Sequence, residues 1–222
     1  MFSWIGRFLS SSLGKKSAMA VSGLALVGFL VVHLAGNLTL FGDDTAFEQY
    51  AQKLHDLGPI LLLMEAGLLL LFVVHINFAV RTIFENMRAR ESRYAVPNDH
   101  GGRTIGSSTM KITGVVILVF LVVHLWDFRF DGDFKGRFED GLGGLGAAHD
   151  VRNTIGGLGH AAFYLVCIAA LLLHLSHAVK SALQTLGIRH PRWTPILERA
   201  AVALGWALGL GFASIVVYSA VA

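Results

Sequence analysis

Five long apolar segments constrain this chain more than any other feature of its sequence. A membrane-crossing helix needs about 20 apolar residues, because each residue adds about 1.5 Å and the hydrocarbon core is about 30 Å thick. Five segments are long enough, and they cover approximately 17–41, 58–84, 109–128, 156–184 and 196–221. We therefore expect an all-α integral membrane protein with five transmembrane helices, forming one domain over 1–222.

Composition agrees with a membrane location and narrows the possible chemistry. Hydrophobic residues make up 54% of the chain, charged residues make up 15%, and mean hydropathy is +0.61. These values exclude an ordinary soluble domain. The single cysteine, Cys167, excludes a disulfide framework, an iron–sulfur cluster and a cysteine-type zinc site on this chain. With ten histidines present, imidazole is the only abundant soft ligand.

The connecting segments alternate in charge and so predict an orientation. Thirteen of the 18 lysines and arginines lie at the N-terminus and in the second and fourth connections, whereas ten of the 15 acidic residues lie in the first and third. The positive-inside rule then predicts a cytoplasmic N-terminus and an external C-terminus, in a cell inner (cytoplasmic) membrane. Five crossings require the two ends to lie on opposite sides, in agreement with the charges.

The two external connections differ in pattern. In the first, Phe47, Tyr50, Ala51, Leu54 and Leu57 recur at helical spacing and predict a helix on the outer surface. The third, 129–157, is rich in Gly and Asp and is expected to be irregular. Gly205-x-x-x-Gly209 in the fifth segment predicts a helix-packing face.

Four of the apolar segments each contain one deeply placed histidine. Three of the four follow a Val-Val pair, and the set is His33, His75, His124 and His174. An ionisable side chain inside a membrane segment is costly and usually functional, and imidazole is a standard axial ligand of haem iron. Four such histidines are the number required for two bis-histidine haems, making a four-helix haem-binding bundle plus a fifth helix.

The depths of these histidines predict how they pair. His33 and His124 lie about 22–24 Å from the inner ends of their helices, whereas His75 and His174 lie about 26 Å from the outer ends of theirs. Alternating topology thus puts His33 and His124 at an outer level and His75 and His174 at an inner level. The levels differ by roughly 15–20 Å, which suits electron transfer between two stacked haems.

Two alternatives at these positions stay open. A single histidine in a membrane helix is often a structural group hydrogen-bonded to a neighbouring helix. His177 lies one turn beyond His174 on the same face and is a possible substitute ligand at the inner level. Small residues near the histidines would let a flat macrocycle approach the backbone, although ordinary helix packing also uses them; these are Gly23, Gly28, Gly36, Gly67 and Gly114.

Several short motifs together resemble a known family. They are Gly14-Lys15-Lys16 leading to Ser22-Gly23-Leu24, then His33-Leu34-Ala35-Gly36-Asn37, His75, His124-Leu125-Trp126-Asp127 and His174-Leu175-Ser176. With helix order and loop charges they resemble the five-helix di-haem cytochrome b subunit of succinate dehydrogenase and fumarate reductase. The likeness covers nearly the whole chain, apart from a longer third connection over 131–150.

The resemblance implies a membrane anchor of succinate:quinone oxidoreductase, an enzyme of the tricarboxylic acid cycle and electron transport. Its four axial histidines carry over onto His33, His75, His124 and His174, the ligands of two haems b. The implied partners are a flavoprotein and an iron–sulfur subunit on the cytoplasmic face, the lipid membrane and a quinone, menaquinone in many di-haem members. Succinate would be oxidised on the flavoprotein, and nothing in the sequence indicates nucleic-acid binding.

Further candidates follow for the groups around the haems and the quinone. Lys15, Lys16 and Arg103 are candidates for pairing with haem propionates, and each is equally explained by the positive-inside rule. Glu65 is the only carboxylate well inside an apolar segment and, if buried with a raised pKa, could relay protons to quinone. Asp127, when protonated, could donate a hydrogen bond to a quinone carbonyl, or it could simply lie at the polar outer end of its helix.

Two other functions compete with this interpretation. One is a cytochrome b anchor for another oxidoreductase, such as a hydrogenase or formate dehydrogenase, although those anchors usually serve partners outside the cell membrane. The other is a haem-free transporter that uses histidines for metal ions or protons. The sequence has too few intramembrane acids for such a transporter, since Glu65 is the only one well inside an apolar segment.

Overall fold

The computed structural model describes residues 3–89, 104–130 and 144–221, and these parts of the chain contain helices and no strand. Five of the helices are long and apolar enough to cross a membrane, which confirms a multi-pass membrane protein. Arg103 and most of the third connection lie outside the described residues. The helices, in chain order, are α1 (Ser3–Ser10), α2 (Ser12–Asn37), α3 (Asp44–His55), α4 (Pro59–Arg88), α5 (Ile105–Leu125), α6 (Ala147–Gly156), α7 (Leu158–Thr185) and α8 (Thr194–Val221).

The ends of the long helices follow from local capping. The Ser11 side chain accepts a hydrogen bond from the Gly14 N–H, so α2 begins before the two lysines rather than after them. Thr104 and Ser107 form a reciprocal capping box at the start of α5. Two membrane helices extend in a different helical form, α2 as a 3₁₀ turn over Leu38–Phe41 and α5 as a π-helical turn over Trp126–Phe130.

Helix α7 lies at the centre of the bundle. It packs against α5 on one side, α8 on another and α2 on a third, while α4 packs on α2. No residue of α4 is buried, so this helix is attached to the bundle along α2 alone over most of its length. The face predicted from Gly205 and Gly209 is confirmed, since added Cβ atoms there would lie 3.3 Å from the Ser176 nitrogen and 2.8 Å from Leu172.

Two short helices cap one end of the bundle. Helix α3 confirms the predicted surface helix, begins with Asp43 as its N-cap and buries Phe47 and Ala51. The expectation of an irregular third connection is wrong over Ala147–Gly156, which forms α6. Helix α6 buries Ala147, Ala148, Val151 and Ile155, at the spacing of one helical face, against α3 and α8. We call α3 and α6 the cap.

Candidate functional site

Two of the four intramembrane histidines meet near the cap, and we call them the cap-side pair. His33 lies four residues before the end of α2 and His124 one residue before the end of α5. Their ring centroids are 5.8 Å apart and their planes are nearly perpendicular, at 85°. The depth argument predicts that these two histidines lie at one level, and the structure brings them together.

The cap-side pair lies within an aromatic cluster. His33 packs on one ring a turn earlier in α2 and on a second ring from α8. His124 packs on one ring a turn earlier and on another a turn later. The ring neighbours are Phe29 and Phe212 for His33, at 5.2 and 5.8 Å, and Phe120 and Phe128 for His124, at 5.4 and 5.1 Å. These apolar walls restrict the motion of both imidazoles.

The other two histidines, His75 of α4 and His174 of α7, form what we call the far pair, since they lie on the side away from the cap. Their depths in the sequence predict that these two histidines pair. His75 Nδ1 is 3.0 Å from the Met19 carbonyl oxygen, so it donates a hydrogen bond to α2. An added Cβ at Gly23 would lie 2.9 Å from His75 Cε1, so glycine is needed where this ring meets α2.

His174 has an equivalent arrangement against α5. Its Nδ1 is 3.2 Å from the Thr113 hydroxyl oxygen. Thr113 donates its own proton to a carbonyl one turn earlier, that of Thr109 at 3.1 Å, which leaves a lone pair to accept from His174. His177 lies one turn further along α7 and packs closely against α5. A Cβ added at Gly106 of α5 would lie 3.1 Å from the Cβ of His177.

The hydrogen bonds therefore distinguish the two nitrogens of each ring. At Nδ1, three of the four histidines face an acceptor, whereas His33 Nδ1 lies 3.4 Å from the Asn37 side-chain nitrogen. Among the described residues, none hydrogen-bonds to Nε2 of these four histidines. A histidine that binds a metal through one nitrogen normally donates a hydrogen bond from the other. For His75, His124 and His174 the pattern leaves Nε2 as the available ligand atom, whereas the amide of Asn37 can only donate to His33 Nδ1.

The spacing of the cap-side pair suits a metal ion between the two rings. Bonds from an imidazole nitrogen to a metal ion are about 2 Å long, so two imidazoles on opposite sides of one ion have centroids roughly 6 Å apart. The observed separation is 5.8 Å. Within the described residues there is no cluster of three or more His, Cys, Asp or Glu side chains suited to a metal ion. A site with two protein ligands, as in a bis-histidine haem, is compatible with both observations.

Asp127 belongs to a buried polar network rather than to an open surface. Its Oδ2 accepts a hydrogen bond from the Tyr164 hydroxyl at 2.7 Å and lies 2.9 Å from His160 Nε2. Only 9% of Asp127 and 4% of Tyr164 are exposed. The Tyr164 oxygen also lies 3.5 Å from His124 Nδ1. Asp127 is thus connected to the cap-side pair through one tyrosine.

Glu65 is placed differently from the sequence-based expectation. Its side chain is 39% exposed, and Oε2 accepts hydrogen bonds from Arg129 Nε and Nη2 at 3.2 and 3.1 Å. The ion pair joins α4 to the π-helical turn that follows α5. A carboxylate with a charged partner differs from the isolated buried carboxyl that the apolar sequence around Glu65 predicts.

The basic candidates lie at the opposite end from the cap. Lys15 is buried and its ammonium pairs with the Glu85 carboxylate of α4, whereas Lys16 is exposed. Arg103 falls outside the described residues. The pairing of Lys15 joins α2 to α4 beside the far pair, and Lys16 is the one of the two lysines with an exposed side chain.

Several residues of the site were not identified from sequence. Tyr164, His160, Thr113 and Arg129 all contact a candidate residue, yet each is an ordinary residue type at a helix end or on a helix face. Helical spacing holds a partial signal, since His160 and Tyr164 are one turn apart and Asp127 lies one turn after His124. The spacing alone does not bring Asp127 next to Tyr164, because that requires knowing that α5 packs against α7.

Comparison of the chain with models of protein families, with curated proteins and with solved structures gives no match.

Proposed function

We propose that this chain is the membrane-anchor cytochrome b subunit of a succinate:quinone oxidoreductase and holds two bis-histidine haems b. The observation that carries the proposal is the meeting of His33 and His124, histidines of separate membrane helices, with ring centroids 5.8 Å apart. His75 and His174 are the candidate ligands of a second haem. The sequence motifs that resemble the family provide the link to succinate and quinone. The alternative of a haem-free transporter is less well supported, because Glu65, its one intramembrane acid, is paired with Arg129.

The histidines of the far pair each contribute a preset ligand atom. His75 is held by the Met19 carbonyl and His174 by the Thr113 hydroxyl, so the proton is kept on Nδ1 and Nε2 can bind iron. On the cap side, His33 and His124 would hold the second iron between aromatic walls. When bound, the two haems would supply sites that accept and release one electron at a time. The residues of this chain would supply the ligands and orient them.

The charge pattern supports the direction of electron transfer. If the basic connections are cytoplasmic, the cap lies outside and the far pair lies nearer the cytoplasm. A flavoprotein and an iron–sulfur subunit docked on the cytoplasmic face would then deliver electrons at the level of His75 and His174. Their oxidation of succinate requires nothing from this chain except a docking face and an electron acceptor.

The cap end offers groups for the chemistry of a quinone. Reduction of a quinone, menaquinone in many proteins of this kind, takes up protons as well as electrons. Glu65 and Arg129 form a half-exposed ion pair at this end, with one carboxylate that can exchange protons and one cation that can hold an oxygen of the substrate. Lys16 remains a candidate for pairing with a haem propionate at the other end.

The test is to isolate the chain, tagged, from its own membranes and to ask which donor reduces it. We expect the preparation to contain a flavoprotein and an iron–sulfur protein, and succinate to produce a b-type absorbance change. Hydrogen and formate serve as the matched donors for the competing anchor function. A change with either of these, and none with succinate, would contradict the proposal. Absence of any b-type absorbance would support the transporter alternative.

A further inference from the structure

A chain of polar groups runs from the partly exposed His160 of α7, through the buried Asp127 and Tyr164, to the cap-side pair. His160 Nε2, Asp127 Oδ2, the Tyr164 hydroxyl and His124 Nδ1 follow one another at 2.9, 2.7 and 3.5 Å. The far pair has no equivalent within the described residues: His75 and His174 donate to a backbone carbonyl and to a threonine hydroxyl, and neither acceptor is linked there to a carboxylate. The difference between the two pairs needs a physical explanation.

The direction of the hydrogen bonds follows from proton counting. Tyr164 has one hydroxyl proton, and at 2.7 Å from a carboxylate oxygen that proton is donated to Asp127. The lone pair left on the tyrosine oxygen can only accept, so His124 Nδ1 is the donor in the longer contact. This keeps Nε2 of His124 without a proton, which is the state required of an iron ligand.

We propose that Tyr164, held in place by Asp127, is the positioning residue of His124 and lowers the reduction potential of the iron that His124 binds. The inference depends on the proposed function, because it requires a haem at the cap-side pair. A hydrogen bond from Nδ1 towards a carboxylate-linked oxygen makes the imidazole a stronger electron donor, and the nearby negative charge favours ferric over ferrous iron. Tyr164 acts through His124 and does not touch the iron.

The packing around His124 shows what the hydroxyl adds. Phe120 stacks on the His124 ring at 5.4 Å, and the Tyr164 ring meets Phe120 edge-on at 5.0 Å. Apolar contacts of this kind limit the position of the imidazole but do not distinguish its two nitrogens. The hydroxyl of Tyr164 is the one atom of this residue that does so, and phenylalanine would preserve the rest.

The experiment is a redox titration of both b-type components in the full complex, comparing wild type with Tyr164→Phe. We expect two haems in each protein, a cap-side component with a more positive potential in the variant, and an unchanged far component. The low-spin ferric EPR signal of the cap-side component should also change, because it reports the relative orientation of the two imidazole planes. Tyr218→Phe is the matched control: Tyr218 packs on Phe41 at the cap and should leave both potentials unchanged.

A second variant keeps the test decisive if Tyr164→Phe does not assemble. Asp127→Asn keeps the shape and an acceptor oxygen but removes the charge, so it should shift the same component in the same direction. Unchanged potentials in either assembled variant, with two haems confirmed, would overturn the role of Tyr164 and leave the proposed function standing. A wild-type protein that contains no haem would instead refute the proposed function itself.

Discussion

The two histidine pairs present the same side chains in contrasting surroundings. The cap-side pair is enclosed by aromatic rings and connected to a buried carboxylate through Tyr164. The far pair is held by a backbone carbonyl and a threonine hydroxyl, and Gly23 allows the close approach of His75 to α2. The local groups around each histidine, rather than the histidines themselves, give the two sites different properties.

The helices explain why the surroundings differ. The cap-side pair lies where α2, α5, α7 and α8 converge under the cap, so bulky side chains are available on all sides. At the far pair, His75 comes from α4, a helix with no buried residue, and depends on α2 for its contacts. We therefore expect the far site to be the more easily disturbed by changes in packing and the cap-side site by changes in charge.

The largest expected effect is the loss of one haem when a ligand is removed. His124→Ala should remove the cap-side component and His174→Ala the far component, because each iron would lose one of two protein ligands. Reduced-minus-oxidised spectra of each variant measure this. His177→Ala, one turn from His174, is the control and should retain both. If His124→Ala and His174→Ala abolished the same spectral component, the division into two pairs would be wrong.

Quinone turnover should depend on the cap-side end. Glu65→Gln should keep both haems but reduce succinate-driven quinone reduction at least tenfold, since an amide cannot transfer a proton and carboxyl acid–base catalysis contributes about 10²–10⁴-fold. The assay is turnover normalised to haem content. Glu198→Gln is the matched control, because Glu198 pairs with Lys180 at the opposite end. Normal turnover in Glu65→Gln would exclude Glu65 from the mechanism and favour a quinone site beside the far pair.

A packing change should disturb the far pair selectively. Gly23→Val adds atoms where even a Cβ lies 2.9 Å from His75 Cε1, so the imidazole must shift from its position on α2. Partial loss of the far component is expected, with the cap-side component retained, as measured by titrating both components. Gly159→Val is the control, because a Cβ there meets nothing within 4 Å. Equal loss of both components would show that the pairs are not independent.

A smaller effect is expected from the hydrogen bond on His174. Thr113→Val removes the acceptor for Nδ1 and should raise the potential of the far component alone. One hydrogen bond contributes about 0.5–1.5 kcal/mol, which corresponds to roughly 20–65 mV for a one-electron couple. Redox titration of the variant measures the shift. A shift confined to the cap-side component would reverse the assignment of the two pairs.

The smallest effect concerns the cap. The Arg152 guanidinium of α6 hydrogen-bonds Asp44 of α3 and lowers the pKa of that carboxyl. The pair therefore stabilises the cap above the ordinary aspartate pKa of about 4, and the contribution is lost as pH falls through the lowered value. Because the Asp44 side chain is 54% exposed and its charge is screened by solvent, removing the pair with Arg152→Gln should cost at most about 1 kcal/mol.

Hydrogen exchange in α3 and α6 measures this contribution. Wild type should exchange more slowly than Arg152→Gln at pH 6, and the difference should shrink towards pH 3. A difference that stayed constant over this range would show that the ion pair does not stabilise the cap.

The sequence predicted the membrane helices well because their signal is strong and local. Long apolar stretches identify membrane helices regardless of what they pack against. Each predicted segment overlaps one observed membrane helix and differs from it by a few residues at the ends. The start of α2 was missed because Lys15 and Lys16 lower local hydropathy, although lysine is compatible with a helix. Helix α6 was missed because neighbouring glycines and aspartates hid the spacing of Val151 and Ile155.

The site was predictable only where one residue type sufficed. Histidines in apolar segments are rare enough to identify candidates, and helix direction was enough to assign their levels. The partner of Glu65 was not predictable, because Arg129 reaches it through a π-helical turn whose position the sequence does not indicate. The link from Asp127 to His124 requires the packing of α5 on α7, which depends on contacts between distant parts of the chain.

The most direct test of this account is a count of haem in the purified protein. Pyridine haemochrome analysis, with protein concentration measured independently, should give two haems b per chain, one for each histidine pair. One haem per chain would contradict the two-pair arrangement, and none would contradict the account as a whole.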